Sequence, residues 1–277
     1  MNSTQQRIKT ALYVAPIIVA AFCFLPAKWF FLFLAFVAAF AAFEVITMSG
    51  IRERFVILAL ILLGLVPVYT KSLHLFPLCL LFATVIYIII RCLRKDGSDK
   101  DTVNRNIMES LFVMLLGQIF VILPLSYLYL LKAFHSLFPL VLLLALWASD
   151  TTAYFLGKNF GKNLLVPKIS PKKTYEGLLG AMIGPVVVMT VASRITGIGV
   201  GQSIIVGAMI GILGQIGDIF ESVGKRVCQV KDSSSLIPGH GGILDRIDSF
   251  IFAAPFLYYY LTGIKSFTGR ARENKDS

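Results

Sequence analysis

A glycine-rich segment at residues 231–249 carries groups that could bind phosphate. Gly239, Gly241 and Gly242 surround His240, and glycine takes up positive φ without steric cost. Successive backbone N–H groups can then point to one side and form an anion site ahead of a helix. The segment therefore predicts a phosphate site; a turn-stabilising role for His240 is the alternative.

Two carboxylates follow these glycines at a spacing that suits a magnesium ion. Asp245 and Asp248 are three residues apart at the predicted start of a helix, so they share one face. Mg²⁺ prefers oxygen ligands and is usually shared with substrate phosphates. The pair therefore indicates a magnesium-assisted reaction of phosphates. The alternative is the ordinary acidity of a first helical turn, which the helix dipole favours.

Another set of polar side chains ends the apolar segment 200–223. Asp218, Glu221, Ser222 and Lys225 follow the spacing i, i+3, i+4 and i+7, which places them on one face of a helix. Polar side chains in membrane helices usually face a protein interior or a watery cavity. This face therefore predicts a polar cavity, and a salt-bridged helix end at the membrane surface is the alternative.

A basic loop precedes that segment. Lys172 and Lys173 adjoin Thr174, and Gly177 follows closely. Each ammonium group brings a charge and three hydrogen-bond donors, which suit a phosphate. Two other interpretations stay open. The loop could set topology or attract lipid headgroups, and Thr174 with Gly177 could simply begin the next helix.

The elements that must position these residues are membrane helices. Hydrophobic residues make up 57% of the 277 and charged residues only 15%, whereas about 25% charged is usual. Soluble domains, disordered chains and disulfide scaffolds are excluded. We predict an all-α polytopic membrane protein, since a bilayer core about 30 Å thick needs about 20 apolar residues per helix. The nine predicted spans are 11–27, 29–48, 55–70, 73–90, 111–131, 137–156, 177–196, 200–223 and 249–264.

Lys and Arg are distributed unevenly between the loops. Sixteen lie after spans two, four, six and eight, against four in the other loops. The positive-inside rule then places the N-terminus, the polar loops and the polar cavity on the cytoplasmic side. The net charge of +11 therefore reflects topology, and no nucleic-acid partner is expected. A ninth span would put the basic tail outside, which the rule disfavours, so the side of the tail stays open.

We predict one integral membrane domain over residues 1–277. It comprises N-terminal helices at 1–140, a catalytic membrane region at 141–264 and a basic tail at 265–277. Glu44 and Asp150 are polar residues near the predicted cytoplasmic ends of spans two and six.

One long run joins the basic, glycine-rich and acidic residues. It reads Ser222-Val-Gly-Lys225-Arg226-x4-Lys231-Asp232-x-Ser-x2-Ile-Pro238-x-His240-Gly241-Gly242-Ile-x-Asp245-Arg246-Ile-Asp248. This run resembles the signature of phosphatidate cytidylyltransferases, also called CDP-diacylglycerol synthases. Gly224 stands where that pattern has a large apolar residue, a departure that removes no chemical group. Upstream, Asp150-x2-Ala-Tyr154-Phe-x-Gly157 and Ser170-Pro-Lys-Lys-Thr-x-Glu176-Gly177 are also similar to the family, so the resemblance covers roughly residues 145–250.

The resemblance implies a reaction of CTP with phosphatidic acid that gives CDP-diacylglycerol and pyrophosphate. It implies Asp218 and Asp245 as ligands of Mg²⁺, and allows a K⁺ ion beside it. Asp232 and Glu176 would orient the basic side chains, and Asp248 shares that role. By their charge, the basic residues are candidates to hold the phosphates of both substrates. We therefore expect as catalytic residues Asp218, Asp245, His240, Lys225 and Arg246, and as substrate-binding residues Lys172, Lys173, Thr174, Ser222, Arg226, Lys231, Gly241, Gly242 and Asp248.

The family resemblance further implies a homodimer in the bacterial plasma (inner) membrane, in contact with membrane lipids. Two alternatives stay open. One is a CTP-dependent enzyme that acts on another lipid phosphate, such as a prenyl-lipid phosphate. The other is a membrane lipid transporter, although no internal repeat is seen and the charged groups lie at one membrane face.

Overall fold

The computed structural model describes residues 3–93, 100–236 and 241–273, with side chains described for 10, 12–93, 103–236 and 241–263. The fold is that of an all-α integral membrane protein, as the sequence predicts. Among the described residues, five helices are long and apolar enough to cross a membrane: Ala27–Met48, Leu73–Leu93, Val103–Phe134, Phe138–Phe160 and Val200–Val227. Leu12–Phe24, Arg54–Tyr69 and Tyr175–Val191 form shorter apolar helices. The predicted count of nine is therefore not confirmed.

The helices follow one another with short connections. The first seven are α1 Ser3–Phe24, α2 Ala27–Met48, α3 Arg54–Leu62, α4 Val66–Tyr69, α5 Phe76–Leu93, α6 Lys100–Gly117 and α7 Leu123–Phe134. Short 3₁₀ turns at Leu63–Leu65 and Leu73–Leu75 and a π-helical turn at Gln118–Ile122 join some of them. The remaining helices are α8 Phe138–Phe160, α9 Tyr175–Val191, α10 Ser193–Thr196, α11 Val200–Val227, α12 Leu244–Ile247 and α13 Phe250–Glu273.

The chain divides into two compact units. The first comprises Met1–Tyr129 and Phe220–Asp248, and the second comprises Leu130–Ile219 and Ser249–Ser277. Within the first unit, α2 packs against α3, α6 and α12. Helix α12, which lies within the sequence run 222–248, therefore packs against a helix from the first half of the chain.

Helix α2 brings one carboxylate into the interior of the first unit. The helix is apolar along its length, and Ala38, Ala41, Ala42 and Ile46 are fully buried. Glu44 lies among them with only 4% of its surface exposed. A buried charge is costly unless it is paired or hydrogen-bonded, so its partners are significant for the fold.

Helices α8 and α9 are the most closely packed pair of the second unit. The Thr152 hydroxyl donates to the Gly180 carbonyl at 2.6 Å, and the Ser149 hydroxyl donates to the Ala181 carbonyl at 2.9 Å. A side chain at Gly180 would collide with the backbone of Thr152. Small residues and interhelical hydrogen bonds are typical of membrane helix pairs.

A two-stranded antiparallel hairpin, which is not predicted from the sequence, joins α8 to α9. Strand β1, Leu164–Val166, pairs with strand β2, Ser170–Thr174. The Thr174 hydroxyl then accepts a hydrogen bond from the Gly177 N–H at 3.0 Å and caps α9. The helix start that the sequence offers for Thr174 and Gly177 is confirmed.

Candidate functional site

The second unit contains a polar cavity of about 190 Å³ at the cap of α9. Its walls come from α8, β2, α9 and α11. The lining residues are Asp150, Ala153, Tyr154, Gly157, Lys172, Lys173, Thr174, Gly177, Leu178, Gln215 and Asp218. The hairpin thus brings the basic loop to the acidic residue of α11.

An ion pair crosses this cavity. Lys173 Nζ lies 3.1 Å from Asp218 Oδ2 and 3.4 Å from the carbonyl oxygen of Gln215. Asp218 Oδ1 accepts a hydrogen bond from the Ser249 hydroxyl at 2.8 Å. The Asp218 side chain keeps 21% of its surface exposed, so it can still reach a ligand in the cavity.

Strand geometry separates the two lysines. Neighbouring side chains of a strand point to opposite faces. Lys173 on β2 is half-buried in its ion pair, whereas Lys172 is exposed at the rim. Both residues line the cavity, and the ammonium group of Lys173 is paired there with Asp218.

The first unit holds a second group of charges, around Lys225. Lys225 Nζ lies 2.5 Å from Glu221 Oε2 and 2.6 Å from Asp245 Oδ1. Glu221 and Lys225 form an i, i+4 ion pair on α11, which corresponds to the salt-bridged helix end that the sequence leaves as the alternative to a polar cavity. These three side chains are largely buried, and the single ammonium group of Lys225 is shared between two carboxyl groups.

Asp245 is enclosed by donors. Besides Lys225, its Oδ2 accepts hydrogen bonds from the Gly242 N–H at 2.8 Å and from the Ser233 N–H at 3.2 Å. The Ser233 hydroxyl lies 3.0 Å from the same oxygen. Burial alone would raise the pKa of the Asp245 carboxyl, but the hydrogen bonds from Lys225 and Gly242 outweigh it and hold the pKa at about 2. Asp245 is therefore ionised at neutral pH.

The glycine-rich segment directs successive backbone N–H groups to anionic acceptors, as the sequence predicts. Among the described residues these acceptors are carboxylates of the protein. Gly241 has φ +79°, the positive value that glycine permits. The N–H of Gly242 donates to Asp245, and those of Ile243 and Leu244 donate to Glu44 at 2.9 and 2.8 Å. From the sequence alone, Glu44 is a polar residue near the end of a predicted span and has no assigned role.

Asp245 and Asp248 do not begin a long helix. Asp245 lies in the one-turn helix α12, Asp248 follows it, and α13 starts only at Phe250. The predicted start of span nine at 249 is close to that of α13, but Asp245 belongs to a separate turn. The short turn allows its carboxylate to fold back onto the Gly242 N–H.

The remaining predicted residues lie around the charges of the first unit. Arg226 is exposed and donates to the Val230 carbonyl oxygen at 3.4 Å, and Lys231 and Asp232 are exposed as well. Arg246 is exposed, while Ser222 and Asp248 are half-buried. In the second unit, Glu176 accepts a hydrogen bond from the Asn163 side chain at 3.1 Å. His240 lies outside the described residues.

Carboxylate oxygens at Asp218 and Asp245 are the donors that a hard divalent cation prefers. Across the described ranges, no cluster of three or more His, Cys, Asp and Glu side chains could hold a metal ion. Mg²⁺ commonly uses one or two carboxylates and completes its shell with water and substrate phosphates. Asp218, which faces the cavity, fits this mode; Asp245 already accepts several hydrogen bonds.

A helical membrane protein with lysines and a carboxylate around a cavity is suited to phosphate-bearing substrates. The chain belongs to the cytidylyltransferase family, whose sequence model matches residues 5–264. The predicted family is thereby confirmed.

Several relatives carry the name phosphatidate cytidylyltransferase. That of Thermotoga maritima is 31% identical over 272 residues, 93% of this chain and 96% of the relative. That of Aquifex aeolicus is 32% identical over 235 residues, 85% of this chain and 83% of the relative. That of Bacillus subtilis is 43% identical over 118 residues, 42% of this chain and 44% of the relative. The chain thus spans less than half the length of this last relative.

Proposed function

We propose that the protein transfers the cytidylyl group of CTP to phosphatidic acid and releases CDP-diacylglycerol and pyrophosphate. Family membership is the observation that carries this proposal, since relatives similar to nearly the whole chain are named for that reaction. The cavity with Lys172, Lys173 and Asp218 supports it, because it offers cationic groups where a triphosphate needs them.

In this reaction a phosphate oxygen of the lipid attacks the α-phosphorus of CTP. A new P–O bond forms, the bond from the α-phosphorus to the bridging oxygen breaks, and pyrophosphate leaves. Such transfers depend mainly on positioning and charge stabilisation, so no covalent nucleophile of the protein is needed. We assign phosphate binding to the basic side chains Lys172, Lys173, Lys225, Arg226, Lys231 and Arg246.

The remaining predicted groups have supporting roles. We assign His240 to orient a phosphate or to accept the proton of the lipid phosphate, since histidine titrates near neutrality. Gly241 and Gly242 shape the backbone beside Asp245, and Thr174 and Ser222 offer hydroxyl groups to substrate.

We further propose Mg²⁺ as cofactor, with Asp218 and Asp245 as its protein ligands and K⁺ as an additional ion. When bound, Mg²⁺ neutralises the charge of the triphosphate. Two lysines orient these carboxylates. Lys173 pairs with Asp218, and Lys225 pairs with Asp245, and each ion pair limits the freedom of the carboxylate to move.

In the membrane, we propose nine spans in the bacterial plasma (inner) membrane, surrounded by membrane lipids, and a homodimer. The site would face the cytoplasm, where CTP is present, while phosphatidate reaches it from the leaflet. The excess of Lys and Arg in alternate loops supports this orientation.

The product identifies the reaction. Purified protein is incubated with CTP labelled in its α-phosphate, Mg²⁺ and either phosphatidic acid or a polyprenyl phosphate. We expect label in a lipid that co-migrates with CDP-diacylglycerol only with phosphatidic acid, and release of one pyrophosphate per lipid. Label in the prenyl lipid would favour the other lipid substrate, and no labelled lipid at all would favour a transporter.

A further inference from the structure

A buried carboxylate of α2 in the N-terminal half of the chain binds residues of the sequence run 222–248. These residues lie on both sides of 237–240. Glu44 is 4% exposed and accepts four hydrogen bonds, from Ser233, Ser234, Ile243 and Leu244. We propose that Glu44 is a positioning residue, which fixes this segment so that Asp245 and Lys225 are held for the reaction. This inference rests on the proposed function.

The four hydrogen bonds are divided evenly between the carboxylate oxygens. Oε1 accepts from the Ser234 hydroxyl at 2.6 Å and from the Ile243 N–H at 2.9 Å. Oε2 accepts from the Ser233 hydroxyl at 2.9 Å and from the Leu244 N–H at 2.8 Å. Each oxygen thus joins one serine ahead of 237–240 to one backbone group after it. The carboxylate therefore holds Ser233 and Ser234 close to Ile243 and Leu244.

Two contacts link this loop closure to Asp245. The Ser233 hydroxyl lies 2.9 Å from Glu44 Oε2 and 3.0 Å from Asp245 Oδ2, and its single proton can be given to only one of them at a time. The Gly242 N–H donates to Asp245, while the next two N–H groups donate to Glu44. A displacement of Glu44 therefore moves the groups that orient Asp245.

Gly242 shows how closely the loop lies on this carboxylate. A Cβ atom at Gly242 would collide with the Ser233 hydroxyl and would lie 2.6 Å from Glu44 Oε1. Such a contact is shorter than real Cβ atoms show, so a side chain at residue 242 would displace Ser233 or Glu44 from its hydrogen bonds. Because Gly242 has no side chain, Glu44 and Ser233 can lie close to the backbone at this position.

An amide cannot replace this carboxylate. Glutamine has the same shape, but one of its two terminal atoms is an NH₂ donor. In either orientation that donor faces the N–H of Ile243 or of Leu244, and this backbone group loses its acceptor. The serine hydroxyls can rotate to adapt, whereas a backbone N–H cannot.

A competing explanation gives Glu44 the opposite effect. Backbone N–H groups in a glycine-rich turn can bind phosphate, and Glu44 could be an anion that a substrate phosphate must displace. Removal of its charge would then improve binding of CTP and lower KM. A positioning residue instead acts on kcat, because the geometry of the reacting groups is lost while binding groups remain.

The test compares Glu44→Gln with wild type and with Glu109→Gln, a matched control at an exposed position of α6. For Glu44→Gln we expect kcat to fall on the order of 10- to 100-fold with KM for CTP nearly unchanged. Hydrogen exchange at the Ile243 and Leu244 amides should rise about tenfold or more. Glu109→Gln should match wild type in both measurements. A wild-type kcat, a lowered KM or unchanged exchange in Glu44→Gln overturns the proposal.

Ser234→Ala keeps the test decisive if Glu44→Gln does not fold. It removes one of the four hydrogen bonds at a half-buried position, and we expect a fall in kcat of about 2- to 10-fold. Wild-type kcat in this folded variant would mean that Glu44 serves stability alone. If the wild-type protein makes no CDP-diacylglycerol, the proposed function fails, and the exchange measurement still tests the hydrogen bonds of Glu44.

Discussion

Two lysine–aspartate pairs organise the candidate site residues. Lys173 pairs with Asp218 in the second unit, and Lys225 pairs with Asp245 in the first. Their surroundings differ, since Asp218 faces a cavity whereas Asp245 is enclosed by four donors. In each pair the carboxylate limits where the ammonium group can move, so the positive charges are placed before substrate arrives.

Asp218 is the better test of the proposed metal ligand because it is the more exposed of the two. We expect Asp218→Asn to lower kcat/KM about 100-fold or more, since the neutral amide loses the charge that attracts Mg²⁺ and Lys173. The Mg²⁺ concentration for half-maximal activity should rise. The measurement is labelled lipid formed across a Mg²⁺ titration, with Glu109→Gln as the folded control. Full turnover in Asp218→Asn at low Mg²⁺ would contradict the assignment.

Residue types and local spacing predict part of these sites. Helix periodicity places Glu221 and Lys225 on one face, and in the structure they form the ion pair of the alternative interpretation, a salt-bridged helix end. The role of Glu44 does not follow, because its partners lie about 190 to 200 residues further along the chain. A single sequence shows that a carboxylate in an apolar helix needs partners, but it does not show which ones.

At the level of elements, the α8–α9 pair builds the cavity. Both helices contribute lining residues, and α9 begins at the cavity with the Thr174 cap. Their close approach relies on Gly180, whose added Cβ would lie 2.5 Å from the Thr152 carbonyl oxygen. That atom belongs to the backbone of a helix, so it cannot move aside without disturbing the pair.

We therefore expect Gly180→Ala to destabilise the protein by about 1–3 kcal/mol, the usual cost of overpacking. Gly201→Ala is the matched control, because no atom lies within 4 Å of its added Cβ and it should stay within about 1 kcal/mol of wild type. Thermal unfolding in detergent micelles measures both. If the two variants have the same unfolding midpoint, the close contact between α8 and α9 at Gly180 does not contribute to the stability of the protein.

Elements are predicted unevenly from the sequence. Long apolar runs such as α2 and α11 are recovered, because hydrophobicity alone identifies them. The β1–β2 hairpin is missed, since its strands have only three and five residues and Lys172 and Lys173 read as a basic loop. The one-turn helix α12 is missed as well, because its separation from α13 depends on contacts of Asp245 with distant residues.

For the whole chain, hydropathy identifies where apolar helices lie but does not establish how many of them are long enough to cross a membrane. Each of the nine predicted spans overlaps a helix, yet three of them correspond to shorter apolar helices. One is α9, which ends at Val191 and is followed by the single turn α10 and by Gly197 at φ +70°. The predicted span runs to 196, whereas α9 ends at Val191, so the apolar run overstates the length of this helix.

The orientation of the chain gives a prediction that does not depend on the number of spans. Lys168 lies in the exposed turn of the hairpin before α9, and Arg194 is exposed after it. The positive-inside rule places the turn in the cytoplasm and Arg194 outside. In a variant without native cysteines, we expect a membrane-impermeant maleimide to label Arg194→Cys in intact cells and Lys168→Cys only after permeabilisation.

Activity of each variant serves as the control for folding. The reverse pattern would place the cavity beside α9 away from CTP, and the proposed cytoplasmic reaction would fail with it. The cysteines to be replaced are Cys23, Cys79, Cys92 and Cys228.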